Sequence, residues 1–227
     1  MRIVKPGYEI VSPAGLNEAG CEAIYEHIEF AARTCYKSDN PTDREKRHAF
    51  VRRLVESAHE AMLEHAFITV RFFVDRGVSH EIVRHREASF AQESTRYCNY
   101  SKGKFGEECS FIDISGGLAA EGKETSGDQH AALLEEWLKA CADSEAHYMR
   151  MLELGATPQM ARSVLTSSLK TELVVTANIR EWRHILKLRA ADTTGKAHPQ
   201  MKEVMVPLLM DFKNAMPELF GDIICKE

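Results

Sequence analysis
The chain has no apolar run near the ~18 residues that would suggest a membrane-spanning helix. Its first residues, MRIVKPGYEI, lack the basic-then-apolar pattern of a secretory leader. The six cysteines, at 21, 35, 98, 109, 141 and 225, form no CxxC pair. That argues against a zinc site built on cysteine and for reduced thiols, so a cytoplasmic location is expected. There is no GxxxxGK followed by Ser or Thr, no GxGxxG after a strand and no GxSxG elbow. A P-loop, a Rossmann cofactor site and a serine-hydrolase nucleophile are therefore not indicated. Repeats, low-complexity tails and clear linkers are also missing, so the 227 residues are expected to form one domain, 1–227.

What the chain does have is a concentrated cationic stretch, RHREASFAQESTRY, from Arg84 to Tyr97. Between residues 84 and 104 the formal charge is +3, in a protein whose total is −5. Clustered guanidinium groups repel one another unless an anion sits among them, and their planar forks suit phosphate oxygens. The hydroxyls of Ser89, Ser94 and Thr95 stand alongside. Residue chemistry alone thus points to a phosphorylated small molecule or a nucleotide. The acidic total and the short basic stretch disfavour nucleic acid as a partner. A metal-dependent nucleotide phosphohydrolase and a catalytically silent nucleotide sensor stay open on these residues.

The order of elements predicts an α+β fold, a small mixed or antiparallel sheet flanked by long helices. Residues 1–12 read as strand. Asn17 caps a helix to about Cys35, and Thr42 with Glu45 forms a capping box for the next helix. The basic face of that helix, Arg44, Lys46, Arg47, Arg52 and Arg53, is expected to be solvated. Residues 66–74 and 170–177 read as buried strands. Ser79 is expected to cap a helix reaching His85, which would put Glu81 and His85 on one face, with Glu81 orienting the imidazole or raising its pKa. Residues 115–128 read as loop and 130–154 as one long amphipathic helix, interrupted at Glu145. A further helix carries Arg180, Arg183, His184, Lys187 and Arg189, with Arg183 and Lys187 read as solvated. The HEAMLEH segment, 59–65, has the wrong histidine spacing for a zincin helix, so no metal is expected there.

Arg84, His85, Arg86, Ser89, Ser94 and Arg96 also stand where the motif RHRxxSxNxxSxR has its fixed residues; Ala91 replaces the motif's Asn. The sequence in this respect resembles the flavin-dependent thymidylate synthases. HEAMLEH resembles that family's HExxxEH element, with Ala61 in place of a common hydroxyl residue. Asn178-Ile179-Arg180 and the helix ending in Leu188-Arg189-Ala190 are similar as well.

The resemblance implies reductive methylation of dUMP to dTMP, with FAD as cofactor, 5,10-methylenetetrahydrofolate as carbon donor and NADPH as reductant. It implies a homotetramer with active sites shared between protomers. It assigns dUMP to Glu81, Arg84, Gln92, Glu93, Ser94, Thr95, Arg96, Arg162 and Arg189, with Arg162 arriving from another protomer and Arg189 catalytic. It assigns FAD to Glu64, Arg84, His85, Arg86, Gln92, Asn178, Arg180 and His184, and places His59 near folate or flavin. Three departures accompany it: Glu81 where Gln is expected, Gln92 where Glu is common, and His184 where Asn is common. Ser94 is read as a dUMP ligand, since no neighbouring base is placed to activate it as a nucleophile.

Overall fold
The computed structural model describes residues 1–38, 43–121 and 126–225. In chain order it contains β1 (Arg2–Val4), β2 (Gly7–Ser12), α1 (Glu18–Tyr36), α2 (Arg44–Glu56), β3 (Phe67–Asp75), α3 (Arg76–Ile82), β4 (Ala88–Gln92) and β5 (Ser110–Ile112). There follow α4 (Ser115–Glu121), α5 (Gly127–Glu153), α6 (Pro158–Ala161), β6 (Lys170–Asn178), α7 (Ile179–Arg189), α8 (Pro199–Ala215) and α9 (Pro217–Phe220). The α+β expectation agrees with this. No helix among the described residues is long and apolar enough to cross a membrane.

The centre is a four-stranded antiparallel sheet in the order β2-β3-β6-β4. β3 and β6 alternate buried and half-buried side chains along their lengths, as the period of two in their sequences requires. Ile68, Val70, Phe72 and Val74 of β3 and Leu173, Val175 and Ala177 of β6 form one buried face. Helices α7 and α8 cover it. Trp182 of α7 lies 6.4 Å from Phe72 and 5.7 Å from Phe212, and its indole N–H donates to the Ile68 carbonyl at 2.9 Å. A polar N–H is thus satisfied inside a fully apolar contact.

A second, smaller core joins Tyr100, Cys109, Phe111, Cys141, Tyr148, Ala161 and Leu169, beneath α5 and the parallel pair β1–β5. Glu145, which breaks the α5 stripe, accepts the Cys109 amide at 2.6 Å and so satisfies an otherwise orphaned donor. Gly155 follows the C-terminus of α5 with φ +94, a conformation that side chains disfavour.

Several local expectations need correction. Helix α3 is capped by Asp75, whose carboxylate accepts the Val78 amide at 2.6 Å; Ser79 lies inside the helix and is fully buried. Both residues are cap formers, and Asp75 wins because β3 ends on it. Helix α3 then stops at Ile82, so His85 lies beyond it. Residues 115–121 are helical instead of loop, packing Gly117 against Gln200. Thr42, expected as a cap, lies outside the described residues, as do 39–41 of the expected turn; α2 carries an Asp43 cap onto the Lys46 amide. The basic face of α2 is paired rather than simply solvated: Arg47 meets Glu22 and Glu29 of α1, and Arg52 meets Glu218. Arg183 is 2% exposed, with both terminal nitrogens on Asp222 at 2.7 Å.

Candidate functional site
Arg189 is the last residue of α7, where a cation also complements the helix dipole. Its guanidinium crosses to the end of α3. Nη1 donates to Glu81 Oε2 at 2.8 Å, Nη2 to the Glu81 carbonyl at 3.2 Å, and Nε to His85 Nε2 at 3.2 Å. A ring nitrogen that accepts from Arg189 carries no proton, so the neutral imidazole is protonated on Nδ1. That nitrogen faces Glu181 Oε1 at 3.5 Å. His85 is buried, and its ring meets His184 edge-on at 5.8 Å. Burial first, then the charges of Arg189 and His184, push its pKa down to about 4. The sequence expectation was that Glu81 would orient the ring or raise its pKa. Glu81 is taken by Arg189, and the imidazole has turned to α7.

Beside this hub lies a cavity of about 520 Å³ lined by Glu60, Glu64, Glu87, Asn178, Arg180, Glu181, Arg183, His184 and Lys187. It unites Glu64 with Asn178, Arg180 and His184, four residues from two separated sequence segments. Arg180 pairs with Glu64 at 2.5 Å and reaches Glu60 at 3.6 Å. Asn178 caps α7 through Oδ1, accepting the Glu181 amide at 2.8 Å, which leaves its amide N–H groups for another partner. Burial raises the Glu181 pKa, and nearby Glu87 adds to that. Sequence reasoning missed Glu181 and Glu87; the i, i+3 spacing of Glu181 and His184 on a helix was the available signal. His59 is exposed and does not line this cavity.

Strand β4 separates the two halves of the cationic motif. Arg84 and Arg86 lie before it, exposed and without an ion-pair partner among the described residues. Ser94, Thr95 and Arg96 lie after it. Arg162 donates to Thr95 Oγ1 at 3.0 Å, Arg96 lies 5.5 Å from the Tyr97 ring centroid, and Glu93 accepts from the Tyr100 hydroxyl at 2.7 Å. Gln92 donates to Ser79 Oγ at 2.9 Å and Thr171 Oγ1 at 3.3 Å. The intervening five residues span roughly 17 Å at the usual rise of a strand. Arg189 is thus grouped with Glu81 and His85, and Arg162 with Thr95, while Gln92 at the end of β4 reaches Ser79, two residues before Glu81.

Residues 22–218 match the family model described as thymidylate synthase complementing protein. The flavin-dependent thymidylate synthase of Corynebacterium glutamicum is 31% identical over 221 residues, covering 89% of this chain and 80% of its own. That of Corynebacterium efficiens is 33% identical over 213 residues, with the same coverage of 89% and 80%. Among solved structures, a UMP/dUMP methylase from Streptomyces cacaoi bound with 5-Br dUMP is similar, with a TM-score of 0.76 at 23% identity, over 97% of this chain and 96% of that one; this is a likeness of fold. With a model spanning 22–218 and relatives above 30% identity over 89% of its length, the chain belongs to the flavin-dependent thymidylate synthase family.

Proposed function
We propose that this protein methylates dUMP to dTMP with FAD as cofactor, 5,10-methylenetetrahydrofolate as carbon donor and NADPH as reductant. In this reading residues 1–227 act as one catalytic domain, in the cytoplasm, within a homotetramer whose protomers share active sites. Membership of the family supports the reaction class, and the named substrate of the Streptomyces methylase supports the pyrimidine nucleotide.

The residues fit a flavin nucleotide. The cavity beside α7 falls in the size range of small-molecule sites. Asn178 and His184 offer hydrogen-bond donors to a ring system, and the guanidiniums of Arg84 and Arg86, without an ion-pair partner among the described residues, suit a pyrophosphate. The cavity is lined by polar and charged side chains, with no aromatic platform among them, which is consistent with a neighbouring protomer completing it. When bound, the flavin supplies hydride transfer; the protein orients it and the substrate.

The arrangement of Arg189 carries the reading. His85 fixes the guanidinium by its Nε, while the Nη1 edge rests on a carboxylate that a ligand can displace. A pyrimidine carbonyl taking Glu81's place would receive a positive charge held in a set orientation. That charge stabilises the anion formed as N3 loses its proton, which makes C5 nucleophilic. Ser94, Thr95, Arg96 and Arg162 hold the phosphate through hydroxyl and guanidinium donors.

The direct test is purification: the protein should be yellow, bleach with NADPH, and produce dTMP from dUMP and methylenetetrahydrofolate. Arg189→Ala should abolish methylation while bound flavin is retained. A colourless protein that cannot be reconstituted with FAD would overturn the proposal.

A further inference from the structure
His85, Glu181 and His184 each present one ligand atom, and these atoms lie within 4.8 Å of one another. Glu181 and His184 are three residues apart on α7, so they project to the same side. His85 comes from the turn before β4 and is buried, so its place is set by the fold; His184 is exposed, its ring edge-on to that of His85. Metal–ligand bonds of about 2.0–2.2 Å need these atoms somewhat closer, a shift that falls to the exposed His184 side chain.

The charges also leave room for a cation. Glu181 is half-buried, faces His184, Glu87 and Arg180, and among the described residues has its ion-pair contact with His85. Arg180 is engaged by Glu64 and Arg189 by Glu81. Two imidazoles and one carboxylate, with remaining positions open to water, make a donor set for zinc and its first-row neighbours. Magnesium and calcium prefer oxygen ligands throughout.

The geometry points to a transition-metal site, best suited to Zn2+, on His85 Nδ1, Glu181 and His184, and opposed to the Arg189–His85 contact. The opposition follows from the imidazole. While Arg189 donates to Nε2, the ring proton sits on Nδ1, the nitrogen that faces Glu181. Metal bound at Nδ1 moves that proton to Nε2, which then no longer accepts from Arg189. Zinc binding and a seated Arg189 are therefore alternatives, and zinc is an inhibitor that works by releasing Arg189.

Zn2+ titrated calorimetrically into the full-length, flavin-containing protein tests this, with Co2+ absorption reporting the nitrogen and oxygen donors. Wild type should bind one ion. H184N and E181Q should each weaken binding by about tenfold or more, whereas H147N, on the exposed face of α5, should not. R189A should bind Zn2+ more tightly than wild type, an outcome that adventitious surface binding would not give. No saturable binding below millimolar Zn2+, or affinity unchanged in H184N and E181Q, would overturn the site. Unchanged affinity in R189A would overturn the opposition. The titration reads the metal itself, so a colourless protein that behaves this way would refute the flavin reading and leave the metal site standing.

Discussion

His85 is buried between a guanidinium and a second imidazole, and its neutral form is what lets it accept from Arg189. This has a consequence for stability. In the unfolded chain the imidazole takes a proton below its ordinary value of 6.5, but in the fold only below about 4. Between these values the unfolded chain binds the additional proton, so stability rises with pH across that window. The contribution is fully present above 6.5 and is lost as pH falls toward 4. A shift of this size corresponds to roughly 3 kcal/mol. Denaturant melts at pH 7.5 and 4.5 should show wild type losing on the order of 2–3 kcal/mol more than His85→Gln. Equal losses would mean that the imidazole does not titrate as its surroundings require.

Glu81 lies three residues before the motif and Gln92 within it, with the acid and amide reversed from the arrangement that the resemblance implies. Glu81 supplies the carboxylate under Arg189, and Gln92 spans the hydroxyls of Ser79 and Thr171. Glu81→Gln removes the charge that holds Arg189, and Gln92→Glu adds one beside donors able to meet it. If the two positions share one charge, the double variant should keep far more dUMP methylation than either single variant. Equal losses in all three would reject that compensation.

At the scale of elements, legibility followed periodicity. β3 and β6 announce themselves by alternating residues, and α1 by Asn17 followed by a helical stripe; Asn17 accepts the Gly20 amide at 2.9 Å as a cap should. β4 was not read, because its five residues belong to a motif whose polar side chains obscure the strand pattern. α4 was not read because glycines at 116 and 117 argue against helix, yet they are what allow close approach to Glu203 and Gln200. Arg183 looked solvated because its partner lies 39 residues away and no local signal links them. The site was legible as a set of residue types and only in part as a geometry. Arg180 with Glu64, and Arg189 with Glu81, are contacts more than 100 residues apart in sequence.

The Arg183 contact can be tested as an element-level clasp. Arg183 also donates to the Leu219 carbonyl, so it ties α7 to the end of α9 and the residues after it. Burial alone pushes the Asp222 carboxyl up, and Arg183 more than reverses this. Asp222→Asn leaves the buried guanidinium with only the more distant Glu60, 3.6 Å from its Nε. Because Asp222 is itself half exposed, the cost should be about 1–3 kcal/mol, short of a fully buried pair. A thermal melt should show a midpoint lower by several degrees, with flavin affinity little changed. A midpoint within 1–2 °C of wild type, roughly the effect of half a kcal/mol in a chain of this size, would make the clasp incidental.

At the scale of the molecule, the proposed sharing of sites between protomers makes a demand on Arg189 and Arg162. Arg189 is bound to Glu81 and His85, which precede β4 in the chain, while Arg162 is bound to Thr95, which follows it. In the proposed shared site, the base would meet Arg189 of one chain and the phosphate Arg162 of another. Each chain would then give its Arg189 to one site and its Arg162 to another. Complementation tests this. Arg189→Ala and Arg162→Ala should each be inactive as pure proteins. Mixed under conditions that exchange subunits, they form some sites whose Arg189 and Arg162 both come from intact positions on different chains. Activity should then recover to about a quarter of wild type at equal amounts, on random assortment of two chains per site. If both groups instead served the site of their own chain, every site in the mixture would lack one of them, and no activity would return.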